Sequence, residues 1–367
     1  MNYYRNQSEK ERSILLSLEQ YDTNLWNLRE LALSRGGLLR KSLRAKAWPK
    51  LLGLSCTDIR RDSARRVEFK RQLILFGTND NDADGADEDE EKKNCGYLVN
   101  GEQQLDVIEK DVYRCSFIRK KRLCDEESLN VSVLAQSPLR RKVYFQASSS
   151  CNNNNTTSSV LEESSWFLPD DDDTILLTSV IVDVIRGYHV QDDDEQLHYY
   201  QGFHNIAAIV LMNVKNASLA TCILQRIVSL FFRDAMRSDF SDLKEATKIL
   251  FPLLKIVDRE IFHFLLDAEM EPSVVTSYLI TWFSHEIKNE QVISRLFDCM
   301  IASHPLFPIY VFTAILIDSR HRDDILSSGC DFASVHMAIS SAIKSMNVSE
   351  KDFDTVEDII QIAINIM

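Results

Sequence analysis

An all-α fold is predicted by three features of the sequence. Glycine and proline are scarce, at ten and seven in 367 residues, well under half their usual combined share of roughly 12%; sheet-rich folds need many such turns. Apolar residues recur at three- and four-residue spacing over most of the chain, with no persuasive period-two segment. Residues suited to opening a helix stand ahead of several apolar runs, at Asp173-Thr174, Ser218, Ser241-Asp242, Pro272-Ser273 and Ser349.

In chain order, residues 8–33 read as one helix that ends before Gly36-Gly37. Residues 40–54 form a short helix with Leu43, Ala47, Leu51 and Leu52 turned inward, and 57–76 are helical as well. The run "TNDNDADGADEDEEKKN" (78–94) lacks apolar periodicity and reads as a mobile loop. Helical spacing resumes over 101–123. The stretch "ASSSCNNNNTTSSVLEESS" (147–165) is of low complexity and cannot build a core. From Asp170 onward the chain is densely apolar at helical spacing. The organisation expected is a helical leader (1–35), a multi-helix domain (36–345) with disordered or mobile insertions at 78–94 and 147–173, and a C-terminal helix (346–367).

Charge and composition exclude several classes. A net charge of −13 argues against a dedicated nucleic-acid binder. A basic knot at Arg114, Arg119, Lys120, Lys121 and Arg122 is compatible with a solvated helix end. Eight cysteines include no CxxC, which fits reduced thiols in the cytoplasm rather than a zinc ribbon or a disulfide framework. The opening "MNYYRNQSEKERS" has no apolar signal core, and the longest near-apolar run, "PLFPIYVFTAILI" (305–317), is shorter than the roughly 20 residues that span a bilayer. Asp80, Asp82, Asp84, Gly85 and Glu91 match the calcium-loop pattern. However, Asp87 occupies the apolar position that pairs sister loops, and no second loop exists. The run reads as a solvated acidic loop, with no metal site expected.

Two stretches carry candidate chemistry. In "VIEKDVYRCSF" (107–117), Leu105, Ile108, Val112 and Cys115 share a stripe, while Arg114 projects about 140° from its centre at ~100° per residue. Asp111, three residues earlier, is placed to orient the guanidinium from the side. An outward arginine so braced suits stabilisation of charge on a partner's phosphate, or forms a plain surface ion pair. In "LHYYQGFHNI" (197–206), Gln201 lies between an aromatic pair and Gly202, directly before an apolar helix. Its amide both donates and accepts, so it can hold a water while touching backbone. Cys330 with His336, or Cys299 with His304, could suggest a thiol nucleophile, but nothing in sequence activates either, and packing roles are expected. No Walker or Rossmann fingerprint is present.

The IxxDxxR of Ile108, Asp111 and Arg114, followed by the YxQG of Tyr199, Gln201 and Gly202, resembles the two signature motifs of the TBC domain. That family comprises GTPase-activating proteins for Rab GTPases. "RAKAWPKLLG", with Arg44 and Trp48, resembles the family's opening RxxxWxxLLG. "ITWFSHEI" (280–287), "HPLFPIYV" (304–311) and "CDFASVH" (330–336) resemble a subgroup acting on Rabs of the endoplasmic reticulum and early Golgi. The resemblance runs from about residue 30 to 345. It implies that Arg114 compensates charge on the transferring phosphoryl group. It also implies that Gln201 orients the attacking water in place of the GTPase's own glutamine. Ile108, Asp111, Tyr199, Gly202, Arg44 and Trp48 would support these two.

The implied partner is a GTP-loaded, early-secretory-pathway Rab, and the implied setting is vesicle trafficking, with a cytoplasmic protein acting at endoplasmic reticulum or Golgi membranes. GTP and magnesium would belong to that partner, with no cofactor in this chain. Val180-Asp183-Arg186 repeats the first motif's spacing but lies too close to Gln201. Tyr144-Phe145-Gln146 repeats YxQ but runs into "ASSS" rather than a glycine and a helix. Cys115, Phe203 and His204 depart from the family's usual residues, which bears on specificity. The alternative is an adaptor that docks a Rab on the same scaffold without stimulating hydrolysis; intact Arg114 and Gln201 favour the activator. Subgroup relatives carry a C-terminal membrane anchor, whereas this sequence stops at "IIQIAINIM", so a truncated chain or another route of recruitment is expected.

Overall fold

A computed structural model of the chain describes residues 2–19, 25–55, 104–118, 171–188, 197–237, 240–348 and 352–367. The expected helix 57–76, the acidic loop with its calcium pattern, Arg119 to Arg122, Gln146, the low-complexity insertion and Ser349 lie outside these residues. Among the described residues every regular element is helical, as the spacing predicts.

The chain begins with α1 (Asn2–Glu19) and α2 (Leu25–Leu33), followed by α3 (Lys41–Leu51) and α4 (104–114). Next come α5 (Asp171–Tyr188), α6 (Phe203–Val214) and α7 (Ala217–Ile227). After α7 the helix widens into a π turn (Val228–Phe232). The second half comprises α8 (Ser241–Thr247), α9 (Leu250–Val257), α10 (Arg259–Asp267), α11 (Thr276–Thr281) and α12 (Glu290–Ala302). It closes with α13 (Phe307–Ile317), α14 (Ser319–Leu326), α15 (Phe332–Lys344) and α16 (Phe353–Ile366).

The single helix expected over 8–33 is two helices packed side by side. Apolar spacing continues from the first into the second, so periodicity alone reads them as one helix. Asn27 then returns to α1, donating its amide to Ser17 Oγ at 2.9 Å. In α3 the four residues expected inward are all buried. Side-chain oxygens of Asn216, Asp258, Asn289, Asp318 and Asp331 accept backbone N–H groups at the starts of α7, α10, α12, α14 and α15. Ser218, expected to open α7, sits inside it, and Pro272 opens a short 3-10 turn rather than a full helix.

Helix α6 runs through the middle and packs against α3, α5, α7, α11 and α12. Helix α13 is buried on nearly every side, which accounts for its unbroken apolar run; α16 lies along it. Among the described residues no helix is long and apolar enough to cross a membrane. The leader and the C-terminal helix share the core of the main domain, through Ile14, Leu28, Val356 and Ile359.

Two carboxylates tie the ends of the chain into α12. Asp298, fully buried, accepts from Arg44 (3.0 Å), Trp48 Nε1 (2.9 Å) and the Leu38 backbone N–H (3.0 Å). One turn away, Arg295 pairs with Glu357 of α16 at 2.8 Å and donates to the carbonyls of Ala32, Leu33 and Ser34. Gly37 crosses this cluster with φ +53, and a Cβ there would lie 2.6 Å from Asp298 Oδ2. No other residue fits.

Candidate functional site

Helix α4 buries Ile108, Val112 and Cys115 on its inner stripe and leaves Arg114 exposed, as its spacing predicts. Asp111 departs from expectation. It is only 6% exposed and accepts a hydrogen bond from the Tyr199 hydroxyl at 2.9 Å. Among the described residues no ion pair joins it to Arg114. The reason is tertiary: the segment carrying Tyr199 lies over α4 and takes the carboxylate, and no helical wheel contains that segment.

The two motifs are therefore bonded to each other directly. Further contacts run along the same seam. Gln104 Oε1 accepts from the Tyr199 backbone N–H at 3.3 Å, and the Gln104 amide meets His198 Nδ1 at 3.4 Å. At the other end of α4, the Cys115 thiol donates to Asn205 Oδ1 at 3.6 Å. Arg114 adjoins one of these stitches, and Gln201 lies two residues from Tyr199 and four from Asn205. Both are exposed at the ends of the elements that the stitches hold together.

Gln201 stands in the turn that opens α6. Gly202 follows as the N-cap residue, with φ +115, and a Cβ there would meet Thr281 Cγ2 at 2.9 Å. Conformation and space each demand glycine. Tyr200 anchors the turn from below, buried and donating its hydroxyl to the Ile280 carbonyl at 2.7 Å. On the far side of Thr281, Trp282 and Phe283 hold φ of +48 and +65. Two consecutive bulky residues in the left-handed region cost on the order of 1–3 kcal/mol each, and both are buried. The floor beneath Gln201 is thus packed and strained, not a free loop.

Electrostatics at the seam follow from burial. Desolvation drives the His204 imidazole down to about 4, against the Asp111 carboxylate, which raises it; Lys288 and His285 add to the lowering. Burial, then Asp111, pushes the Tyr199 phenol well above its ordinary range, and burial raises the Cys115 thiol. Tyr199 and Cys115 are therefore neutral hydrogen-bonding groups here.

The other candidates fall elsewhere. Arg44 and Trp48 are buried on Asp298, away from the Arg114–Gln201 seam in their contacts, and hold helices together. Arg186 is exposed near the end of α5, with Val180 buried on its inner side. Cys299 lies buried beside Arg295, which donates to its sulfur, and burial pushes the thiol up to about 11. His304 accepts the Leu306 N–H, and His336 stacks on Phe332. Neither thiol–imidazole pair is assembled. Sequence reasoning missed the structural part of His204, which it registered only as a departure from a family pattern. A polar ring in the first turn of an otherwise apolar helix, five residues after a tyrosine, was the available signal.

A family model for the Rab-GTPase-TBC domain matches residues 178–326 of the chain. Gln201 lies inside the match and Arg114 before it. TBC1 domain family member 20 of Mus musculus is 36% identical over 151 residues, covering 41% of this chain and 37% of that protein. The Homo sapiens protein of that name is 35% identical over the same length. GTPase-activating protein gyp10 of Schizosaccharomyces pombe is 30% identical over 158 residues, 42% of each chain. The chain thus spans less than half the length of the curated relatives it matches.

Solved structures share the fold more widely. The Chlamydomonas flagellar RabGAP TBC domain superposes with a TM-score of 0.54 at 13% identity, over 98% of this chain and 96% of that one. The Ypt/Rab-GAP domain of Gyp1p gives 0.58 at 12%, over 97% of each. The fold is therefore that of TBC domains.

Proposed function

We propose that the chain activates GTP hydrolysis by a Rab-family GTPase, with Arg114 and Gln201 entering the partner's site together. The observation that supports this best is the direct Asp111–Tyr199 hydrogen bond, which joins the two motifs and leaves both functional side chains exposed. A small GTPase hydrolyses slowly because its water is poorly held and the charge on the transferring phosphoryl group is poorly compensated. An exposed guanidinium supplies the charge, and an amide fixed over a packed turn supplies the orientation. GTP and magnesium reside in the partner, and this chain contributes no cofactor. The likeness to TBC1 domain family member 20 favours an early-secretory Rab, met at endoplasmic reticulum or Golgi membranes.

The test is phosphate release from a panel of GTP-loaded Rabs at catalytic amounts of this protein. Stimulation of at least one Rab, concentrated among early-secretory ones, supports the reading. Saturable Rab binding without faster release would make the protein an adaptor and overturn it.

A further inference from the structure

Tyr199 has one hydroxyl proton, and its oxygen makes two short side-chain contacts. One is to Asp111 Oδ2 at 2.9 Å, the other to His204 Nδ1 at 2.9 Å. A carboxylate can only accept, so the hydroxyl proton goes to Asp111. The same oxygen must then accept from His204, which requires the proton on Nδ1. The second nitrogen, Nε2, is left bare, because the ring is held neutral by its burial. His204 Nδ1 and Asp111 Oδ2 stand 3.8 Å apart, and the tyrosine hydroxyl bridges them.

We infer that His204 is a positioning residue for the proposed reaction: its Nδ1–H fixes the Tyr199 hydroxyl on Asp111, and thereby holds the arginine helix α4 against the first turn of the glutamine helix α6. This rests on the proposed function. His204 stands three residues after Gln201, on the first turn of α6, and Asp111 three residues before Arg114, on the last turn of α4. The chain Asp111–Tyr199–His204 thus spans the joint between the two exposed side chains. Without the Nδ1–H donor, the hydroxyl oxygen loses its side-chain donor and the phenol loses one of the two side-chain bonds that define its angle. The displacement reaches Arg114 and Gln201, and misplacement of about 1 Å costs on the order of a hundredfold in rate.

Three arms test this. In the whole protein, His204→Leu removes the donor at similar volume, and His204→Asn returns an N–H near the place of Nδ1. With a responsive GTP-loaded Rab, His204→Leu should lower kcat about ten- to a hundredfold with KM within about twofold, and His204→Asn should recover most of it. Loss that tracks melting temperature alike in both variants, or an unchanged kcat in folded His204→Leu, overturns the inference. Imidazole nitrogen NMR on the wild-type protein gives a readout independent of activity. A neutral ring protonated on Nδ1, which loses that tautomer in Tyr199→Phe, is expected; a ring protonated on Nε2 overturns it. If wild-type protein stimulates no Rab while the Nδ1 tautomer is observed, the proposed function has failed and the bonded chain has not.

Discussion

At the scale of single residues, charge and proton count decide the roles. Arg114→Ala should abolish stimulation and Arg114→Lys should restore little, because lysine lacks the planar fork. Arginine fingers contribute roughly 10³–10⁵ in rate, so the barrier should rise by about 4–7 kcal/mol. Arg186→Ala should leave phosphate release nearly unchanged, and an essential Arg186 would refute the assignment. Gln201→Ala should eliminate stimulation with helicity intact by circular dichroism, since an exposed amide leaves no buried donor behind. The proposed supply of glutamine in trans predicts that a Rab whose own switch glutamine is replaced by alanine should still respond to the wild-type protein. His204 gives a pH signature. Its ring takes a proton near 6.5 when unfolded but only at about 4 when folded, through burial and the nearby Lys288 and His285, opposed by Asp111. The unfolded state therefore binds more protons between these values, and stability is lost as pH falls from about 6.5 towards about 4. Chemical-denaturation midpoints should show a smaller acid loss in His204→Asn than in wild type; equal losses would refute the shift.

At the scale of elements, the turn of the second motif depends on neighbours outside both motifs. The turn that carries Gln201 is clamped by Gly202 against Thr281 and by Tyr200 on the Ile280 carbonyl. Gly202→Ala forces a Cβ into 2.9 Å contact at φ +115, so stability should drop by roughly 1–3 kcal/mol. Stimulation should fall by more than the fraction unfolded, as urea titration and phosphate release together would show. The Asp298 cluster behaves oppositely. Asp298→Ala leaves Arg44 buried without its carboxylate and Trp48 Nε1 without its acceptor, which should cost about 3–5 kcal/mol. Activity per folded molecule should stay near wild type. A fall in kcat at unchanged stability would mean that Arg44 and Trp48 act on the site after all.

At the scale of the molecule, the first and last helices close the fold rather than decorate it. Glu357 on α16 is the buried counter-ion of Arg295, whose other N–H groups hold the end of α2. Removing residues 353–367 exposes one side of α13 and leaves that guanidinium uncompensated, so the truncated chain should lose cooperative unfolding in a thermal melt. Deleting 80–91 or 147–165 should leave folding and stimulation nearly intact, because segments of that composition bury too little to matter. Micromolar calcium binding by calorimetry, lost in Glu91→Gln, would overturn the reading of the acidic run.

Helix content, the inward stripes of α3 and α4 and the outward side chain of Arg114 were all legible in the sequence. Each rests on local order, the spacing along one helix. The break between α1 and α2 was not legible, because apolar spacing continues in phase across it. Nor was the partner of Asp111. A wheel drawn on α4 offers it Arg114, but the structure gives it Tyr199, 88 residues away along the chain. Burial decides that exchange. A carboxylate held under another segment must satisfy its oxygens with the donors that segment brings, and which segment arrives is fixed only when distant apolar faces pack together.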